Sequence, residues 1–85
     1  MDWSLVAWLK RGGRRKSVLI LVSKSSTPVS ANDVKGSLKI AMSQASATLK
    51  ELTDQKLILC LNPEDKIGKL YRVHKNGEDT LKQIK

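Results

Sequence analysis

The sequence predicts a small α+β domain that is mostly helical and carries a helix-turn-helix at its centre. The segment 38–52 has the pattern of a turn followed by an amphipathic helix. The chain contains two Trp, one Tyr and no Phe, so Leu, Ile, Val and Ala must build the core. A chain of 85 residues buries only about 60% of its unfolded surface, which suits helices with a small sheet better than a large sandwich.

A first helix is predicted over 2–10, capped by Asp2 and ended by the pair Gly12-Gly13. Residues 3–9 include one polar residue, Ser4, and a helix that is apolar on nearly every side must be covered on more than one side. One side can pack on the domain and another on a second copy, in an isologous homodimer. The residues predicted at this dimer interface are Trp3, Val6, Ala7 and Trp8. The alternative is that both Trp side chains pack inside their own domain.

The segment 14–24 can be interpreted in two ways, because the apolar run 18–22 suits a buried strand as well as a helix. Its basic lead-in and its length favour a helix with Val18, Leu21 and Val22 inward. After a break at 25–28, Val29 is expected to form a short edge-strand pairing.

Two further helices follow this pairing. Ser30 begins the first of them, with Asp33 at the spacing of a capping box. The next helix is predicted over about 42–55, and its buried stripe is Ala45, Leu49 and Leu52.

The remainder is predicted as a hairpin and a last helix. The strands are 57–61 and 69–73, joined by a loop with turn residues at both ends. The last helix is predicted over 77–84.

Five segments carry a resemblance through their order and spacing. They are Arg14-Arg15 before the 18–22 run, Thr27-Pro28, Ile40 to Leu52, the strand entry Lys56-Leu57-Ile58, and 68–73 followed by His74-Lys75-Asn76-Gly77. Together they resemble a winged helix-turn-helix domain, especially small archaeal and bacterial transcription regulators of the MarR/ArsR type. The chain departs from the usual pattern at three positions. Ala41 replaces a capping Ser or Thr, Lys56 a Gly, and His74 a capping Thr.

The length predicts one domain over 1–85. The resemblance covers roughly residues 10–85 and implies a helix-turn-helix and wing at 14–73. The predicted domain has an extra N-terminal helix, an antiparallel wing sheet of two to three strands and a C-terminal helix. The resemblance also implies a transcription regulator that binds double-stranded DNA with the helix over about 42–55 in the major groove. This is the third helix when the extra N-terminal helix is not counted. Gln44 is the best base reader, because its amide can pair bidentately with adenine. The other contacts expected on or beside this helix are Met42, Ser43, Ser46, Ala47, Lys50 and Lys39.

The charge of the chain supports an anionic partner. Sixteen Lys and Arg against eight acidic residues give a net charge of +8, and five of the cations fall within 10–16. The backbone contacts expected are Arg14, Arg15, Lys16, Lys66, Lys69 and Arg72. Because no Arg lies on the third helix, we expect modest sequence discrimination and much of the affinity from phosphate contacts. The alternative for each Lys is a solvated surface side chain.

Other classes of function receive less support. Catalysis is not expected: the single His and single Cys are too few for a zinc site, and no glycine-rich phosphate loop occurs. Cys60 is expected to be buried, with a redox role as the alternative. Neither a cofactor nor a small-molecule effector is expected, and without a secretory signal or membrane-length segment the expected location is cytoplasmic. RNA binding and a winged-helix protein-interaction module in a transcription or other assembly remain alternatives. The acidic pair Glu64-Asp65 at the wing tip favours the interaction module.

Overall fold

A computed structural model describes residues 3–84, and the cap predicted at Asp2 lies outside these residues. Over this range the chain forms five helices and three strands in the predicted order. The helices are α1 (Trp3–Arg11), α2 (Gly13–Lys24), α3 (Ala31–Leu38), α4 (Met42–Asp54) and α5 (Lys75–Ile84), and the strands are β1 (Val29–Ser30), β2 (Ile58–Cys60) and β3 (Leu70–Val73). None of the helices in residues 3–84 has both the length and the apolar character needed to cross a membrane.

The three strands form one antiparallel sheet in the order β1-β3-β2. Val29 pairs with Tyr71, which confirms the short edge pairing predicted for Val29. On the other side of β3, Ile58 pairs with Val73. The hairpin of β2, β3 and their connecting loop, residues 58–73, is called the wing below.

Leu, Val and Ile supply most of the core, as the composition requires. The stripe predicted on α4 is confirmed, because Ala45, Leu49 and Leu52 have no exposed surface. On α2, Val18 and Val22 are buried as predicted, and Leu21, also predicted inward, is half-buried and packs against the core. Leu19, which was not predicted inward, is fully buried as well. The reason is that α2 packs against the other four helices and β3 at once, so its apolar run has no single inner face.

The helix ends follow from local hydrogen bonds. The capping box of α3 is confirmed: Ser30 Oγ accepts from the Asp33 N–H at 3.2 Å, and Asp33 Oδ2 accepts from the Ser30 N–H at 3.0 Å. Lys56 adopts φ 61°, in the left-handed region that favours glycine. This conformation accounts for the Gly that similar sequences place at that position.

The last helix begins two residues earlier than predicted, at Lys75 rather than at 77. His74 Nδ1 accepts a hydrogen bond from the Asn76 N–H at 3.0 Å and so occupies an amide at the helix start. A histidine ring thus makes the capping contact for which similar sequences often use Thr. Gly77 consequently lies in the first turn of α5, where it is buried.

Candidate nucleic-acid interface

The outer face of α4 is directed to solvent, because its opposite face packs against α2, α3 and β2. All six residues predicted to contact DNA on this helix are exposed: Met42, Ser43, Gln44, Ser46, Ala47 and Lys50. Three of these side chains are short, and among the six only Lys50 is charged.

The first turn of α4 has only half of a capping box. Ala41 has no side-chain acceptor, and no side chain caps the first amides of the helix. In the reverse direction, Gln44 Oε1 accepts from the Ala41 N–H at 3.1 Å. The helix therefore begins with backbone donors directed to solvent, and its positive end favours an anion.

A groove of about 420 Å³ separates α4 from the wing. We call it the helix–wing groove. Its lining residues are Ser46, Lys50, Thr53, Asp54, Cys60, Pro63, Lys66, Lys69 and Tyr71. Three lysines that lie far apart in the sequence, Lys50, Lys66 and Lys69, therefore surround one groove against a single acid, Asp54. Four of these lining residues were predicted separately from the sequence as DNA contacts. They are the three lysines and Ser46.

The phenol in this groove does not reduce its positive charge. Burial raises the pKa of Tyr71, and the neighbouring Cys60 adds a smaller rise through charge repulsion. The Tyr71 side chain therefore stays neutral at physiological pH. Cys60 is half-buried rather than fully buried, and its thiol contacts Asn62 Oδ1 at 3.9 Å.

Arg15 joins three helices on the other side of α4. Its Nη1 donates to the carbonyl oxygen of Trp8 at 2.9 Å, and its Cζ lies 4.2 Å from the centre of the Trp8 ring. Its Nη2 lies 3.3 Å from Glu51 Oε2, in a pair of which both members are partly exposed. This arrangement, called the Arg15 junction below, connects α1 and α2 to α4.

The remaining predicted backbone contacts do not converge. Arg14 is exposed and lines an open groove beside the Arg15 junction. Lys16 lines a different groove, between α2 and α5. Arg72 is exposed on the strand while Tyr71 is buried, so alternation directs the two to opposite faces of the sheet. Lys39 is exposed at the left-handed end of α3. Of the three wing cations predicted, Lys66 and Lys69 line the groove with α4 and Arg72 does not.

Two solved structures share this architecture. The multiple antibiotic-resistance repressor (MarR) from Listeria monocytogenes 4b F2365 matches with a TM-score of 0.70 and 22% identity, over 84% of this chain and 47% of that one. Wild-type MarR (apo form) from E. coli also matches with a TM-score of 0.70 and 22% identity, over 98% of this chain and 64% of that one. The chain has the winged-helix fold. The likeness thus spans about half to two thirds of the two repressors. No protein-family model and no curated protein sequence matches the chain.

In the winged-helix fold, α3 and α4 form the helix-turn-helix and the hairpin 58–73 forms the wing. The mostly helical α+β architecture predicted from the sequence is therefore confirmed. Within residues 3–84, no group of three or more His, Cys, Asp or Glu is placed to hold a metal ion.

The Arg15 junction was missed in the sequence, because its members come from three helices and Arg15 is 36 positions from Glu51. The only available signal was a Trp and an Arg on either side of Gly12-Gly13, and that spacing does not specify a contact. The winged-helix structure thus assigns Arg15 a packing role that competes with its predicted phosphate contact.

Replacing Arg15 with Lys is expected to lower the free energy of unfolding by about 1–3 kcal/mol. Lysine keeps the charge but cannot stack a planar group on Trp8 while donating to two acceptors. Most of this loss comes from the Trp8 contacts, because an exposed ion pair contributes about 0–1 kcal/mol. Urea denaturation measures the difference. The control is Arg14→Lys, which is expected to change stability by less than about 0.5 kcal/mol. Equal effects of the two substitutions would show that the junction contributes no more than an ordinary surface residue.

Proposed function

We propose that this winged-helix domain binds double-stranded DNA selectively and acts in transcription regulation, with α4 in the major groove. The observation that carries the proposal is the convergence of Lys50, Lys66 and Lys69 around the helix–wing groove, directly beside the exposed face of α4. A helix in the major groove has a phosphate backbone along each side, and a basic groove there suits one of them. The net charge of +8 and the likeness to two repressors also support this function.

The proposed contacts fall into two groups. Gln44 reads a base edge, and Ser43, Ala47 and Met42 contact bases or sugars around it. Backbone contacts come from Lys50, Ser46 and the two wing lysines, and from the uncapped amides at the start of α4. Arg14 and Lys39 are exposed and are proposed at the flanks. Arg15, Lys16 and Arg72 are proposed to contribute less to DNA binding. Arg15 is engaged in the Arg15 junction, and the other two line grooves away from α4.

The salt dependence of duplex binding tests this function. Each phosphate contacted is expected to contribute roughly 0.9 log units of affinity per log unit of salt, so affinity falls steeply as salt rises. Substituting Lys50→Gln or Lys69→Gln is expected to weaken binding on all sequences and to reduce this slope by about one.

The matched control is Lys82→Gln, which removes the same charge from the groove between α2 and α5. Its salt slope is expected to equal that of the unmodified protein. A protein that fails to bind duplex DNA at low salt would refute the proposed function.

A protein-interaction module is the second candidate, because the wing exposes apolar side chains. Ile67 is 91% exposed, and Leu59, Leu61 and Leu70 are between 38% and 47% exposed. Such a surface would bind its partner by apolar contacts that weaken little with salt. Partner binding that is insensitive to salt, together with no affinity for duplex DNA, would favour this candidate.

We also propose that a second copy binds to α1, as expected from its apolar sequence. Trp3 is 68% exposed and Ala7 is exposed, whereas Trp8 is half-buried in the Arg15 junction. We leave Val6 out of the proposed interface, because it is only 4% exposed within its own protomer.

Replacing Trp3 with Ser is expected to shift the protein from dimer to monomer in sedimentation, because the exposed indole would supply much of the apolar area buried between copies. Ile67→Ser is the matched control, since it removes an exposed apolar side chain from the wing tip instead. The control is expected to keep the mass of the dimer. An unchanged mass for the Trp3 variant would place the interface elsewhere or leave the protein monomeric.

A further inference from the structure

Gln44 is already hydrogen-bonded before any DNA arrives. It is the third residue of α4, at the helix end from which side chains reach base edges in helix-turn-helix complexes. The Ala41 N–H is a donor, so the amide of Gln44 must present its oxygen to it, and Oε1 does so at 3.1 Å. The amino group of Gln44 keeps two donors, which make no hydrogen bond to any of the residues 3–84.

Ala41 contributes no side-chain cap to the start of α4. Ala41 lies in extended conformation with φ −69° and ψ 151°, and its side chain offers no oxygen to the helix. The bond from Gln44 is thus the side-chain contribution to the start of α4. A hydrogen bond of this kind favours the bonded orientation by about two- to tenfold.

We propose that Gln44 reads its base only as a donor, through Nε2, and selects guanine over adenine. This inference rests on the DNA-binding function proposed above. Bidentate pairing with adenine needs the oxygen and the nitrogen of the amide side by side on the base edge, and the bond from the Ala41 N–H directs the oxygen to the start of α4 instead. Guanine presents two adjacent acceptors, N7 and O6, to a donor. Adenine places its own amino group beside N7, and cytosine presents only a donor.

A proline at position 41 tests the inference by removing the N–H that holds Gln44. The observed φ of −69° lies within the range that proline requires, so the substitution suits the backbone of Ala41. Site preference is measured by selection from a random duplex pool and by competition between single-base variants of the selected site. The unmodified protein is expected to prefer guanine at one position. Ala41→Pro is expected to shift the guanine-to-adenine ratio there toward adenine by about fivefold or more, because the freed amide can pair bidentately.

Two further variants isolate Gln44 as the cause. In a Gln44→Ala background, Ala41→Pro is expected to leave the ratio unchanged, since no amide remains to be released. Gln44→Glu keeps an oxygen on the Ala41 N–H but replaces the free donor with an acceptor. It is expected to abolish the guanine preference and favour cytosine, whose N4 amino group donates. The Gln44→Glu variant tests the inference if the Ala41→Pro protein does not fold.

The possible failures are distinguishable. The base that Gln44 reads is identified as the position at which Gln44→Ala abolishes the base preference. If the unmodified protein binds duplex DNA but selects adenine at that position, the donor-only inference is refuted while the proposed function stands. An unchanged base ratio in a folded Ala41→Pro protein refutes it as well. If the Ala41 amide exchanges with solvent equally fast in the unmodified and Gln44→Ala proteins, the hydrogen bond on which the inference depends is absent. No binding to duplex DNA at low salt refutes the proposed function itself and the inference with it.

Discussion

Replacing Gly77 with alanine is expected to lower the free energy of unfolding by about 1–3 kcal/mol, although alanine is the better helix former. A Cβ atom at this position would collide with the carbonyl oxygen of Leu57. It would also lie 3.0 Å from Val73 Cγ2 and 3.1 Å from Leu19 Cδ1. The Leu57 carbonyl already accepts from the His74 N–H at 2.9 Å, so it cannot move without breaking the bond that joins the residue before α5 to the residue before β2.

Urea denaturation of the Gly77→Ala protein measures this loss. The matched control is Gly36→Ala, where an added Cβ would meet no atom within 4 Å inside α3. The control is expected to stabilise the protein by about 0.5–1 kcal/mol through helix propensity alone. If both substitutions stabilise the protein equally, α5 does not pack on Leu57 as described.

Replacing Leu49 with alanine is expected to lower the free energy of unfolding by about 2–5 kcal/mol. Leu49 has no exposed surface and lies at the centre of the stripe that holds α4 on the core. The substitution removes buried methyl groups and leaves a cavity beneath the helix that presents the candidate interface. Since small domains have about 5–15 kcal/mol of stability in total, this loss is large for the fold.

The control for Leu49 is Leu59→Ala, the same chemical change on the exposed side of β2, where the side chain is 46% exposed. It is expected to cost less than about 1 kcal/mol, because most of its surface meets water in either state. Chemical denaturation of both variants gives the comparison. Similar losses at the two positions would mean that α4 is not anchored by its apolar stripe.

The elements of this fold that the sequence predicted are those fixed by local patterns. The stripe on α4 follows from helical periodicity, and the box of Ser30 and Asp33 follows from a spacing of three residues. On α2, Val18, Leu21 and Val22 were predicted to face the core, but the full burial of Leu19 could not be predicted in this way, because a run of five apolar residues has no clear period. The burial of Leu19 depends on the elements that surround α2 in three dimensions.

In the candidate site too, features set by local sequence patterns could be predicted, whereas features set by packing between helices could not. Exposure of the outer face of α4 follows from the stripe behind it, and was predicted residue by residue. Engagement of Arg15 by Trp8 and Glu51 depends on how three helices meet, which no local spacing encodes. The bond between Gln44 and Ala41 is local, since it is half of a capping box. It was not predicted, because Ala41 lacks the Ser or Thr that marks a capping box in a sequence.

The most direct measurement is an NMR titration of the isotope-labelled protein with a short duplex of the selected site at low salt. Saturable shifts are expected in the amides of 42–50 on α4 and of 66–69 in the wing, while α5 changes little. Shifts confined to α1 and α5, or no saturable shift at all, would contradict DNA binding through α4 and the helix–wing groove.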